Sequence, residues 1–291
     1  MNTARLRPPW LTFRRFAGFT TVLTMTLIML GVYTAATGSG LACSAQWPLC
    51  DNGLLPQTVP SFIEWFHRLI AMITGFFILG TTAWAWRRSS NRTTRLAATA
   101  ALVLLPLQVS LGAVTVTLNG YLPGGYSPPT QAAHLVTALA IFTSLVLTSL
   151  FASDGAYARA PLRRAYSALV ASLVVLPVAT AFGRVVGLIA YTPASQAAFF
   201  GVSLTLFATL VAATLWLRET PLRRLQYVTG AALALVFATM VLGRDLIYYT
   251  PAVRTANAVL VVLVAALIAV ATWVTYRRDR GRTSRRGVTS N

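Results

Sequence analysis

Charged side chains are scarce in this chain of 291 residues. Only 10% of the residues are charged and six are acidic, whereas 56% are hydrophobic. All 24 basic residues are arginine, and no stretch of the chain is both long and polar. A large soluble domain is therefore excluded, because it would need a polar surface around a core of its own. Apolar runs near or above ~20 residues indicate an all-α polytopic membrane protein instead.

The apolar runs predict eight transmembrane helices joined by short connections. We expect no cleavable signal peptide, because the first run is too long for one and is followed by "TGSG" rather than by a small-residue cleavage pattern. The eight windows cover residues 15–37, 62–86, 95–118, 129–151, 164–190, 196–217, 222–246 and 252–276.

The arginines cluster at alternate ends of the predicted helices. Clusters such as "RRSSNRTTR" alternate along the chain with three loops that contain no arginine, 38–61, 119–128 and 188–195. Because cytoplasmic loops are rich in arginine, this pattern predicts that both termini are cytoplasmic, with the chain in the plasma membrane. A nucleic-acid partner is disfavoured, since it would require a continuous basic face.

Both cysteines lie in the first arginine-free loop, on the outer side. Cys43 and Cys50 are separated by six residues, which is enough for the loop to close. An outer loop faces a compartment in which disulfides persist, so the sequence favours a bond between them over two unpaired thiols. A zinc site is disfavoured, because the loop contains no histidine.

The chain contains only two histidines, and each lies about one turn into a helix that begins at the outer side. These are His67 in the second predicted helix and His134 in the fourth. Ionisable groups are costly in hydrocarbon, which makes them functional candidates. Two imidazoles at similar depth on facing helices are a common setting for a haem with two axial ligands. The alternative is that each histidine is a hydrogen-bonded structural residue.

Two more ionisable residues accompany His67. Glu64 lies three residues before His67 on the same helix face, and Arg68 lies four residues after Glu64, at the spacing of a helical ion pair. At this depth a carboxyl group favours its neutral form unless Arg68 or a propionate network pairs with it.

The chain also repeats itself weakly. "VSLGAV" in the third predicted helix resembles "MVLGRD" in the seventh, and the fourth and eighth helices begin with similar segments. These matches predict two repeated four-helix bundles, residues 1–155 and 156–291. With Trp86 aligned to Leu217, Ala198 stands at the position of the first histidine, and with Pro129 aligned to Pro251, Ala256 stands at that of the second, or close neighbours do. The second half is therefore histidine-free.

Five motifs within residues 30–140 together resemble the haem A synthase family: "TGSGLAC", "WPLC", "EW" followed by "HR", "LQVSLGAVTV" and "QAAH". The resemblance implies an enzyme that oxidises the C8 methyl group of haem O to a formyl group, giving haem A for terminal oxidases. It implies that His67 and His134 hold the substrate haem through its iron, that Glu64 is catalytic, and that Cys43 pairs with Cys50. Glu64 is positioned to supply a proton-active group near the methyl group.

The second half departs from the family pattern. Family members of this length usually carry two further histidines there, which ligate a haem B cofactor. Three explanations stay open: haem held by other contacts, electrons delivered directly to the first half, or a second half retained as a scaffold. Arg184, Arg244 and Arg254 could bind propionates, but we favour snorkelling and a pair of Arg244 or Arg254 with Asp245.

Two other classes of function remain as alternatives. One is a non-catalytic haem-binding or haem-transfer membrane protein. The other is a cytochrome b-like electron carrier, which would need a quinone site or a second haem to move electrons across the membrane. Glu64 and the cysteine loop favour the synthase over both alternatives. Its expected substrate is haem O, its surroundings are membrane lipid, and a haem O synthase is a possible partner. The sequence does not identify the electron donor.

Overall fold

A computed structural model describes residues 11–43, 46, 49–89, 91–117, 127–152, 160–244 and 248–288. Eight helices account for most of these residues, and each is long and apolar enough to cross a membrane. The prediction of an all-α membrane protein with eight spans is therefore confirmed. The helices are α1 Phe13–Ala36, α2 Val59–Arg88, α3 Arg92–Thr117, α4 Pro128–Phe151, α5 Pro161–Phe182, α6 Pro193–Arg218, α7 Leu225–Leu242 and α8 Pro251–Val288.

One difference from the predicted boundaries lies at the end of the fifth span. The hydrophobic window continued to residue 190, whereas α5 ends at Phe182. Gly183 adopts an extended conformation there, and its N–H bonds to the carbonyls of Ala179 and Thr180. Gly187 then has a φ of 69°, a left-handed conformation that glycine adopts without steric cost. An apolar composition did not reveal this stop, because hydropathy reports burial in lipid and not backbone conformation.

The helices form two compact units, Met1–Asp154 and Gly155–Asn291. In the first unit α1 lies beside α2 and α4, and α3 lies between α2 and α4, so the four helices close into a ring. The second unit has the same order, with α5 beside α6 and α8 and with α7 between them. The predicted duplication and the function assigned to each half stay predictions.

Hydroxyl groups connect neighbouring helices within each unit. In the first unit Thr20 of α1 bonds to Thr81 of α2 at 2.9 Å, and the Thr82 hydroxyl donates to the Ala98 carbonyl of α3. In the second unit Ser172 of α5 bonds to Thr209 of α6 at 2.9 Å. Apolar side chains gain little by leaving lipid for another helix, so such bonds and close packing hold the helices together.

Candidate functional site

The loop before α2 is closed by a disulfide. Cys43 and Cys50 are buried and bonded, with an S–S distance of 1.98 Å, which confirms the predicted pair. Their sulfur atoms lie 3.7 and 3.8 Å from the carbonyl oxygen of Ser61, in the first turn of α2. The ring that the disulfide closes therefore rests on the start of this helix.

Side-chain hydrogen bonds fix the start of α2 and attach the loop to it. Thr58 caps the helix by accepting from the Ser61 N–H, and Pro60 stands in the first turn, where no backbone donor is needed. The Ser61 hydroxyl donates to Oδ1 of Asp51, and the Gln57 N–H donates to Oδ2 of the same carboxylate. Asp51 is therefore one polar link between the loop and the helix.

Glu64 lies under this loop with only 2% of its surface exposed. Its Oε2 accepts the backbone N–H of Cys43 at 2.7 Å, and its Oε1 forms an ion pair with Nη2 of Arg68. The Glu64–Arg68 contact follows from their spacing on the helix. The bond from Cys43 could not be found from spacing, because the two residues lie 21 positions apart. Both oxygens of this buried carboxylate are therefore paired, one with a guanidinium and one with a backbone N–H.

Arg68 contacts the disulfide loop as well as Glu64. Its Nη1 donates to the carbonyl of Gln46 at 2.7 Å and to the carbonyl of Leu49 at 3.3 Å. Both carbonyls belong to the segment between the cysteines. The planar guanidinium thus joins three acceptors from two parts of the chain, which a compact ammonium group could not reach together.

His67 lies one turn after Glu64 on the same helix and packs against a glycine of α1. A Cβ atom added to Gly31 would lie 3.1 Å from Cε1 of the imidazole. Nδ1 of His67 is buried without a hydrogen-bond partner in the described part of the chain. His67 lies on α2 and His134 on α4, both in the first unit.

His134 is held by α3 in a similar way. A Cβ atom on Gly112 would lie 3.3 Å from Cε1 of His134, and Nε2 of Gln108 lies 3.1 Å from Nε2 of the imidazole. Pro128 and Pro129 begin α4, where their fixed φ favours the first turn. Sequence reasoning missed Gln108 as a site residue, although it stands within the quoted motif "LQVSLGAVTV".

The donor set of the first unit fits a haem. No group of three or more histidine, cysteine or carboxylate residues among the described positions could hold a bare metal ion. A porphyrin supplies four of the six iron ligands, so two imidazoles complete its coordination. Both imidazoles are partly accessible, and each packs on a glycine that leaves the ring room. His67 and His134 would therefore provide the axial nitrogens.

The second unit does not fit a haem with two histidine ligands. Phe199 is 5% exposed, and its ring fills the space beside Gly183 and Gly243, where added Cβ atoms would lie 3.3 and 2.9 Å away. Asn257 is the seventh residue of α8, as His134 is of α4, which makes it the nearer counterpart than Ala256. The Asn257 side chain donates to the Tyr249 hydroxyl. A carboxamide and a phenyl ring are poor axial ligands.

The arginines after α5 and α7 and in the first turn of α8 contact aromatic rings and backbone. Arg184 lies over the rings of Tyr191 and Tyr249 at 4.8 and 4.2 Å, and Nε of Arg254 donates to the Val185 carbonyl at 3.0 Å. Arg244 lies 5.9 Å from the ring of Phe200. Asp245, the predicted partner of Arg244 or Arg254, lies outside the described residues, so that pair stays a prediction.

Fold and site together define a multi-pass membrane protein whose first unit presents two histidines, a buried carboxylate and a disulfide-closed loop. Residues 58–192 match the family model of the cytochrome oxidase assembly proteins (COX15-CtaA). This segment contains Glu64, His67 and His134. The match confirms the resemblance to the haem A synthase family that the motifs indicated.

Two heme A synthases and a farnesyltransferase are among the individual proteins to which the chain is similar. The chain is 33% identical to a heme A synthase of Bacillus licheniformis over 136 residues, which is 46% of this chain and 43% of the relative. It is 31% identical over 140 residues to a heme A synthase of Bacillus pumilus, covering 47% and 44% of the two chains. A protoheme IX farnesyltransferase of Halobacterium salinarum is 35% identical over 129 residues, 44% of this chain and 28% of the relative. The matched segments span less than half the length of these relatives.

Proposed function

We propose that the protein is a haem A synthase that oxidises the C8 methyl group of haem O to a formyl group. The observation that carries this proposal is the position of Glu64, which is buried, held by Arg68 and Cys43, and placed one turn before His67 on the same helix face. Conversion of a methyl to a formyl group is a four-electron oxidation, in which the carbon loses two hydrogen atoms and gains one oxygen atom. The reaction therefore needs an oxidant and a protein group that handles protons.

The two histidines orient the substrate in this proposal. His67 and His134 would hold the iron of haem O, and the bound haem would supply the redox and oxygen chemistry. Gly31 and Gly112 leave space for the two imidazoles, because a side chain at either position would press against the ring beside it. Apolar helix walls exclude water from the ring, which protects reactive species and strengthens electrostatic contacts.

Glu64 handles protons in this proposal. Its carboxylate oxygens have lone pairs beyond those used by Arg68 and Cys43, so Oε1 or Oε2 can accept a proton that leaves the methyl group. The ion pair with Arg68 and the bond from the Cys43 N–H fix the position of the carboxylate on α2. Its burial under the disulfide loop keeps bulk water away from it.

Arginine distribution supports a location in the plasma membrane with cytoplasmic termini. Glu64 and the disulfide then lie near the outer surface. The substrate would come from a membrane enzyme that attaches a farnesyl group to haem, a chemistry that the name of the Halobacterium relative also states for that protein. An electron donor must reach the first unit without a bis-histidine haem in the second.

The proposal is tested by expressing the full chain beside a haem O synthase and extracting the haems. The expected product is a formyl-haem that is absent when the chain is omitted. A haem-binding or haem-transfer protein would return unmodified haem O, and an electron carrier would show a reversible haem spectrum without product. Either result would exclude the synthase.

A further inference from the structure

We propose that Arg68 is a positioning residue for this reaction, and that it sets the place of Glu64 by holding the disulfide loop against α2. The inference rests on the proposed function for its catalytic meaning. Its structural content, a clamp between α2 and the ring closed by Cys43 and Cys50, stands on the contacts alone.

The contacts form a closed circuit. Glu64 Oε2 accepts from the Cys43 N–H, the chain continues from Cys43 to the carbonyl of Gln46, and this carbonyl accepts from Arg68. The guanidinium then returns to Oε1 of Glu64. A second loop carbonyl, that of Leu49, accepts from the same nitrogen of Arg68. Moving the loop therefore moves both groups that hold the carboxylate.

Burial separates this arrangement from an ordinary surface ion pair. The side chains of Arg68 and Glu64 are 12% and 3% exposed. Exposed pairs contribute little, because water competes for both charges. Under the loop the guanidinium has no comparable supply of water, so losing one of its acceptors leaves a charge poorly paired. The loop and the ion pair consequently depend on each other.

The contacts of Arg68 are separate from those of the proposed iron ligand. Arg68 contacts Glu64 and loop carbonyls, whereas the proposed iron ligand on the same helix is His67, which packs on Gly31. Replacing Arg68 should therefore displace the carboxylate and free the loop, and leave haem ligation in place. A residue that only stabilised the fold would lower haem loading together with turnover.

The test uses the purified full chain in lipid nanodiscs, with Arg68→Gln and Arg68→Lys as variants. Arg87→Gln is the matched control, since Arg87 is an exposed arginine at the opposite end of α2. The first measurement is the rate at which dithiothreitol opens the disulfide, followed by alkylation of Cys43 and Cys50. We expect Arg68→Gln to be reduced about tenfold faster or more, with Arg87→Gln unchanged. We expect an intermediate rate for Arg68→Lys, because lysine keeps the charge but lacks the two separate NH2 groups of the guanidinium.

The second measurement is formyl-haem formed per haem-loaded chain at increasing haem O. We expect kcat to fall at least about tenfold in Arg68→Gln, with KM and the haem spectrum unchanged and partial rescue in Arg68→Lys. Equal reduction rates in wild type and Arg68→Gln would overturn the clamp. A fall in haem loading with normal turnover per loaded chain would overturn the positioning role. If wild type forms no formyl-haem, the proposed function fails, while the reduction rates still decide whether the clamp exists.

Discussion

Replacing Glu64 with glutamine separates the catalytic role of this residue from its structural one. In the wild type, the Cys43 N–H donates to the Glu64 carboxylate at 2.7 Å. Glutamine keeps the size of the side chain, and its Oε1 can still accept this hydrogen bond. The other oxygen is replaced by an amide NH2 group, which faces the Arg68 guanidinium. Both groups are hydrogen-bond donors, so the ion pair is lost and no hydrogen bond takes its place. The variant therefore loses one charged contact and the proton chemistry of the carboxylate.

The two losses have different magnitudes and different readouts. Leaving the Arg68 charge without its partner costs about 3–5 kcal/mol at a fully buried site, and less here because the Arg68 side chain is 12% exposed. This loss lowers the thermal midpoint of the purified protein. Removing a positioned acid or base lowers turnover by roughly 10²-fold or more. Haem should still bind, since His67 and His134 are unchanged, and a partly oxidised hydroxymethyl haem should accumulate.

The assay is formyl-haem formed per haem-loaded chain, measured together with the thermal midpoint. Glu219→Gln is the control, because Glu219 is exposed at the end of α6 in the other unit. A lower midpoint with turnover equal to wild type per loaded chain would refute the catalytic role and leave Glu64 as a structural residue. An electron carrier would instead show a shifted midpoint potential and no oxidised haem intermediate.

Three further predictions concern the ligands, the disulfide and the α1 contact. His67→Ala or His134→Ala should alter haem occupancy or the optical spectrum, because the chain has no other histidine; unchanged spectra in both would contradict the ligand assignment. Without reductant, Cys43 and Cys50 should resist alkylation, and labelling of both before reduction would disprove the bond in solution. Serine at both positions should lower the free energy of unfolding by ~2 kcal/mol and reduce activity modestly. Gly31→Ala should shift the haem spectrum, because its Cβ would lie 3.1 Å from His67. Gly18→Ala on the same helix, with nothing within 4 Å, should not, and equal spectra for both variants would remove the Gly31 contact from the site.

Sequence reasoning predicted the class of protein well for a physical reason. Hydrocarbon requires long apolar helices and places arginine at the cytoplasmic ends, so composition and hydropathy indicated all eight spans. The same reasoning missed the end of α5 at Phe182, because a local backbone conformation at Gly183 decides it. Hydropathy therefore predicts where helices cross the membrane better than where they end.

Along the chain, the residue types of the candidate site were visible because ionisable groups are rare in membrane helices. Glu64, His67 and His134 stood out for this reason, and the Glu64–Arg68 pair followed from a spacing of four residues. These features depend only on residue type and on contacts within one helix.

Only the tertiary structure decided which distant groups meet around those residues. The Cys43 N–H reaches Glu64, the loop carbonyls reach Arg68, and Gln108 reaches His134, all across separations of 19 to 26 residues. The structure likewise set Phe199 beside Gly183 and Gly243 in the second unit. Contacts of this kind depend on how a loop folds back and how helices rotate against one another. Those arrangements minimise the energy of the whole unit, so no local pattern of residues specifies them.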